Sequence, residues 1–397
     1  MEVVSRAAGS HEFDLFAPVK PWPELPPADD GLVRRLESAV GQVSLLAAGP
    51  ERTLPLLSAR AFRPIVALTR VRAAEAMATR LINMGRYDAV LVAPCQVTQA
   101  PALIANLVPP TVYAIHEGRR RSIEPGYRSA MQWRGERASK GLRRLPVRAR
   151  RAAGRLWDLA LGAQDRRAVR AATALGCNSR YTAEVVSSIY GRAARVIPPG
   201  VDAEVFALKS GPPGTQAISV GGLDPTKGHD LAIRGLAALP IARRPALDIV
   251  FERALDGYQI YLEGLARDLQ VEVSFHRQIR DRRLAQLYGA AGVTICAAHL
   301  EPFGLTALES MAVGTPVVAV REGGFVETVE DGLTGWLVAR DAESIARGII
   351  AIQDGKTARP EVIRGRATAW SWDRTASEFC ELLESVANPV ISRTPEP

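Results

Sequence analysis

The chain has 397 residues, 47% of them apolar and only 6% aromatic, enough for two cores built mostly from Ala, Leu and Val. No apolar run reaches the roughly 18 residues of a membrane-spanning helix, and the N-terminus lacks the order of a secretory signal. The net charge of +8 is uneven: Arg119 to Arg170 holds 16 Lys or Arg against four acids, a surplus of 12 that leaves −4 for the rest and suggests an anionic partner. Four cysteines (Cys95, Cys177, Cys296 and Cys380) are scattered, without a CxxC pair or metal spacing, which points to a reducing cytoplasm.

In chain order, a helical run from Glu2 to Ala8 comes first, then Gly9-Ser10-His11-Glu12 and a strand at Phe13–Phe16. Further strands are expected at Ile65–Leu68, Ala89–Val92, Val112–Ile115, Ala174–Cys177 and Ala194–Ile197. Between Met131 and Arg170 the basic stretch mixes arginines with Trp133, Leu142, Leu145, Leu156, Trp157, Leu159 and Leu161. That mixture suits an anionic membrane surface contacted through 119–170, and it matches no nucleic-acid-binding module. Pro198-Pro199-Gly200 opens a stretch without periodicity that ends near Gly214, where the linker between two domains is placed.

The second half alternates more regularly. Strands at Ala217–Val220, Leu247–Phe251, Val271–Phe275, Val293–Cys296, Val317–Val320 and Trp336–Val338 are separated by helical patterns such as Gln259–Leu269 and Arg282–Tyr288. The alternation predicts a parallel sheet covered on both faces. Asp373–Val386 reads as a further helix and Asn388 onward as a tail. The expected architecture is α/β: two doubly wound, Rossmann-like domains over 1–208 and 209–372, with the helix in 373–390 crossing back to the first. Ligands in such sheets bind beyond the carboxyl ends of the strands.

The motifs fall at those ends. Glu301-Pro302-Phe303-Gly304-Leu305-Thr306-Ala307-Leu308-Glu309 joins a strand to an amphipathic run, Leu305 to Ala312. Pro302 and Gly304 break the chain there, so backbone amides at a helix start face the cleft and favour a phosphate. Carboxylates on either side of such an anion site suit hydroxyl groups. Gly221-Gly222-Leu223-Asp224-Pro225-Thr226-Lys227-Gly228 follows another strand and places Lys227 where it can neutralise a diphosphate. His116 ends the strand Val112–Ile115 and faces the cleft, and Arg119, Arg120 and Arg121 follow in a pattern suited to phosphate. Ser179 and Arg180 line the cleft, or Ser179 caps a helix.

The run from Glu301 to Gly324 resembles the signature of family 4 glycosyltransferases, in which two Glu bracket seven residues. The resemblance covers about residues 10 to 385, strongly from Val220 to Val338. It implies a GT-B fold and retaining transfer of a sugar from a nucleotide diphosphate donor to a hydroxyl. Glu301 would touch the transferred sugar and Glu309 the ribose, while the backbone of Phe303, Gly304, Leu305 and Thr306 would meet sugar and phosphate. Gly221 and Gly222 would line the donor site, and Lys227 would stabilise the leaving diphosphate. His116 would position substrate beside an acceptor site holding Arg119, Arg120 and Arg121. Gly222 replaces the family's arginine, and Arg253 and Arg277 stand where glycines are common, so both are expected at the donor cleft. The base pocket is placed around His276 to Ile279. With no Asp-x-Asp and no metal spacing, no metal and no cofactor are expected.

Family members open with a strand and a Gly-rich loop, whereas this chain starts at the helix that follows them. The first domain is therefore expected to lack its first strand, through a lost N-terminus. The acceptor is expected to be lipid-linked or a cell-envelope glycan, with the protein cytoplasmic and peripheral at the inner face of the membrane. The alternatives are a soluble natural-product or sugar-phosphate acceptor, and a non-catalytic glycosyltransferase-like partner subunit.

Overall fold

The computed structural model describes residues 2–7, 11–18, 42–46, 63–95, 98–119, 147–207 and 214–388. Arg120, Arg121 and the basic stretch through Pro146 lie outside them.

The N-terminal half runs α1 (Glu2–Ala7), β1 (Asp14–Pro18), β2 (Gln42–Leu46), α2 (Arg63–Met84), β3 (Val90–Val92), β4 (Thr111–Ile115), α3 (Val147–Ala171), β5 (Ala174–Cys177), α4 (Arg180–Tyr190) and β6 (Arg195–Val196). Ile65–Leu68 is not a strand: it lies within α2. Four consecutive apolar residues fit a buried strand and a buried helix equally. The longer pattern decides, because Val71, Ala74, Ala78 and Ile82 recur at helical spacing and are all buried. Strands β3, β4, β5 and β6 form a four-stranded sheet in that order, and β1 pairs with β2 apart from it; all these pairings are parallel. No ladder joins the two sheets among the described residues. Helix α2 spans both, packing on Phe16 of β1 and Val90 of β3, and the Tyr87 hydroxyl donates to Asp14 at 2.7 Å.

The second half holds β7 (Gln216–Val220), α5 (His229–Ala237), β8 (Leu247–Phe251), α6 (Tyr258–Asp268), β9 (Val273–Arg277), α7 (Asp281–Ala290), β10 (Ala291–Cys296), α8 (Leu305–Ala312), β11 (Val317–Val320), α9 (Phe325–Thr328), β12 (Gly335–Val338), α10 (Ala342–Gln353) and α11 (Pro360–Thr368). The six strands are parallel in the order β9-β8-β7-β10-β11-β12. The chain winds one way from β7 to β9, then returns to the other side of β7 with β10. The carboxyl ends of β7 and β10 therefore flank the topological switch point, where a crevice opens.

Helix α12 (Trp372–Ala387) crosses to the other half. Its Phe379, Leu382 and Leu383 form one buried cluster with Val112 and Ala114 of β4 and with Ile197. The two crossings lie side by side: Val201 N–H donates to Trp370 O at 2.9 Å, and Thr375 Oγ1 to Pro198 O at 2.6 Å.

Candidate functional site

The loop after β7 carries Lys227. Gly221 N–H donates to Val250 O at 3.0 Å, and Leu223 N–H to Arg253 O at 2.8 Å, so the loop is tied to the end of β8. Asp224 caps the turn Pro225–Lys227 by accepting from Thr226 N–H at 2.9 Å. Beneath it lies His229, fully buried, with Nδ1 2.9 Å from Ser219 Oγ and Nε2 3.2 Å from Gly221 O. A carbonyl only accepts, so Nε2 carries the proton and Nδ1 takes the serine's. Burial outweighs the Gly221 bond and lowers the ring's pKa, so the ring stays neutral and pins the glycine loop. The sequence holds no signal for this role, since it depends on what surrounds the ring.

The loop after β10 carries Glu301, and its backbone is held from three sides. His299 N–H donates to Thr226 O at 2.7 Å, joining it to the Lys227 turn. Arg340 donates to Ala297 O at 3.0 Å and Ala298 O at 2.7 Å. Glu322 accepts from Arg340 Nε at 2.9 Å and lies 3.1 Å from His299 Nδ1. Burial opposes the Glu322 charge, but these partners win and bring its pKa down to about 2. Gly324 N–H donates to Glu301 O at 2.7 Å.

With both loops so placed, Lys227 Nζ and Glu301 Oε2 meet at 2.7 Å. Burial disfavours the ammonium, but the Glu301 carboxylate, with Asp224 and Glu117 adding to it, more than offsets that and the Lys227 pKa rises. The lysine is thus held charged beside a carboxylate and next to the start of α8, whose first amides have no carbonyl within the helix to donate to. One crevice brings together a cation, a helix N-terminus and an acceptor group.

Glu309 projects from the second turn of α8 and accepts from the Tyr288 hydroxyl at 3.1 Å. Burial pushes its carboxyl up to about 7, against the pull of the Tyr288 bond. Such a group takes up a proton on folding between about pH 4.5 and 7. The resulting stability is full below 4.5 and is lost as pH rises through about 7. The melting temperature of the wild type is therefore expected to fall from pH 5 to pH 8 relative to Glu309→Gln. Parallel melting curves for the two proteins would show the carboxyl to be ionised throughout.

His116 follows directly on β4, with its ring reaching solvent yet crowded enough that burial lowers its pKa. Asn178 Nδ2 donates to its carbonyl at 2.9 Å. The charge of Glu117 adds a little to what holds Lys227 charged. Arg119 turns toward α3, its guanidinium 3.4 Å from Asp158, and its amide donates to the Tyr190 hydroxyl at 3.2 Å. Among the described residues, then, the arginine run expected at the acceptor contributes one residue, and that one is engaged with a helix. Arg253 and Arg277 are exposed at the ends of β8 and β9. Arg253 shares a backbone bond with the Gly222–Leu223 turn. Of the segment placed at the base pocket, His276 and Arg277 lie in β9 rather than in a loop, and His276 Nε2 sits 2.7 Å from Asp248. Ser179 is fully buried and caps the helix: it accepts from Thr182 N–H at 2.9 Å, and it donates to Pro302 O at 2.5 Å. Among the described residues no cluster of three or more His, Cys, Asp or Glu could hold a metal ion.

Residues 202–368 match the family described as glycosyl transferases group 1. The match runs from the linker to α11 and includes both the Lys227 turn and the Glu301 loop. D-inositol 3-phosphate glycosyltransferase of Acidothermus cellulolyticus is 35% identical over 233 residues, 52% of this chain and 52% of that protein. The enzyme of the same name from Nocardiopsis dassonvillei is 33% identical over 218 residues, 49% of this chain and 51% of that one. The chain spans about half the length of the curated relatives it matches. Over the whole fold, sucrose-phosphate synthase from Thermosynechococcus elongatus superposes with a TM-score of 0.68 at 21% identity, covering 97% of this chain and 91% of that one. Anabaena HepE in complex with UDP-glucose gives 0.64 at 20% identity, covering 97% and 94%. The chain has the GT-B fold, with two Rossmann-like halves.

Proposed function

We propose that the protein is a glycosyltransferase that moves a sugar from a nucleotide diphosphate sugar to a hydroxyl acceptor, with retention at the anomeric carbon. Residues 1–208, with the helix in 373–390, form the acceptor half and 209–372 the donor half. The observation that carries this reading is the 2.7 Å pairing of Lys227 with Glu301 at the switch point, beside the start of α8. Departure of a diphosphate builds negative charge. Lys227 and the amides of Phe303, Gly304, Leu305 and Thr306 receive it. Glu301 holds the sugar hydroxyls and Glu309 the ribose, which is catalysis by positioning. Gly221 and Gly222 let the diphosphate approach the backbone, and Arg253 and Arg277 flank the nucleotide end. His116 positions the substrates at the acceptor half. Retention and membership of family 4 are what the resemblance of the Glu301-to-Gly324 run implies. Two of the structural neighbours are HepE complexes with UDP and with UDP-glucose, so uridine donors head the test. UDP-, GDP- and ADP-sugars are offered to the full chain and released nucleotide is measured. If none is bound or turned over, the non-catalytic subunit reading takes over.

The surface of α3 bears on the acceptor. Leu156 and Leu159 are 68% and 65% exposed on the same stretch as the exposed Arg155, Arg166 and Arg167. Among the described residues, no helix is long and apolar enough to cross a membrane. An amphipathic, basic helix face suits adsorption at the inner face of an anionic bilayer, and hence a lipid-linked acceptor. The names of the curated relatives and of one structural neighbour speak for a sugar-phosphate acceptor instead. Co-sedimentation with phosphatidylglycerol vesicles separates the two. Salt-sensitive binding that Leu156→Glu with Leu159→Glu abolishes is expected; equal pelleting with neutral and anionic vesicles sinks the lipid reading.

A further inference from the structure

A charged contact joins the two halves apart from the Lys227–Glu301 pair. Helix α4 of the acceptor half points its N-terminus at the donor half, and Glu327 of α9 fills it. Glu327 accepts from Arg180 N–H at 3.0 Å through Oε2 and from Tyr181 N–H at 2.9 Å through Oε1. Its side chain is only 17% exposed, and Arg180 Nε stands 3.9 Å away. The third amide of the helix, Thr182 N–H, is taken by Ser179, so the first-turn donors of α4 are satisfied jointly by the two halves. A carboxylate at a helix N-terminus also meets the positive end of the helix dipole. Ser179 adds the 2.5 Å bond to Pro302 O, next to Glu301.

These bonds form a continuous path. His116 O is bound by Asn178 Nδ2, and Asn178 leads directly into the Ser179–Tyr181 helix start. That start holds Glu327 and Pro302 of the other half. Three residues before Glu327, Gly324 N–H holds Glu301 O. We propose that Glu327 is a positioning residue, a latch between the halves that sets where the acceptor-side His116 stands relative to the donor-side Glu301. The inference rests on the proposed sugar transfer for its consequence, but the latch itself is a matter of geometry. Loss of Glu327 leaves the Lys227–Glu301 crevice and the start of α8 intact within the donor half. It removes the charged link across the cleft, so the halves sample a wider range of separations and fewer encounters bring acceptor and donor together.

The test uses the full chain with nitroxide labels at Val108→Cys and Ile260→Cys, positions 81% and 73% exposed in the two halves, on a Cys95→Ser background. Pulsed electron resonance reads the distance distribution between them. Glu327→Ala is expected to broaden it, to lower kcat at least tenfold, and to leave the Kd for UDP within threefold. Glu327→Gln keeps the reach and one accepting oxygen but sets an amide against the second N–H, so it falls between wild type and alanine in both readouts; it also serves if the alanine variant folds poorly. An unchanged distribution overturns the latch, whether or not kcat falls. If the wild type turns over no nucleotide sugar, the proposed function fails while the distance measurement still decides the latch.

Discussion

Lys227→Ala is expected to lower sugar transfer by about 10²–10³, the usual cost of deleting one stabilising group in a preorganised charge-binding site. The reason lies in the pairing at 2.7 Å with Glu301. The neighbouring carboxylate outweighs the cost of burial and raises the lysine's pKa, so the ammonium stays charged across the neutral range, where the proposed function has a diphosphate leave. Glu301→Gln is expected to cost a similar factor by a different route. It leaves the cation in place but removes an acceptor for sugar hydroxyls, so the loss appears in both kcat and the KM for donor. The two effects are not additive, because each residue holds the other. Steady-state kinetics with the donor that the wild type turns over checks both. A Lys227→Ala enzyme within threefold of wild type would remove the lysine from the leaving-group role.

Gly228→Ala is the substitution expected to damage the protein most for its size. Gly228 has φ of 69°, in the left-handed region that a side chain disfavours. A Cβ there would stand 2.0 Å from the carbonyl oxygen of Ala297. That oxygen cannot swing aside cheaply, because Arg340 donates to it at 3.0 Å. Backbone strain and overpacking together are expected to cost about 3 kcal/mol. The same displacement would part the Lys227 turn from the Glu301 loop, which meet through His299 N–H and Thr226 O. A shift of about 1 Å between such groups is enough for a roughly hundredfold loss of rate. Chemical denaturation and single-turnover kinetics measure the two consequences. An alanine variant of wild-type stability would mean that the two loops are not held together through this glycine.

The strong periodic strands of the second half were legible from residues alone, since each is a short apolar run between turn residues and each lies within a residue or two of its place in the sheet. The Glu301–Glu309 segment and Lys227 were legible for a related reason. Their chemistry is local: a strand end, a chain break and a helix start within one stretch. Ile65–Leu68 was misread because four residues carry too little periodicity to separate a strand from the helix that contains them. Arg119 was expected at the acceptor and instead pairs with Asp158, since a run of arginines does not say which of them faces a cleft.

By itself the sequence determined the alternation of strands and helices, and that Lys227 and the Glu301–Glu309 segment follow strand ends. Those are properties of neighbours in the chain, set by hydrophobic period and turn chemistry. Only the tertiary structure decided that Glu301 pairs with Lys227 74 residues away, that burial lifts Glu309 to about 7, that His229 pins the glycine loop, and that Glu327 caps a helix of the other half. Each of these depends on separations in space and on the exclusion of water, and the chain acquires both only when the sheets close.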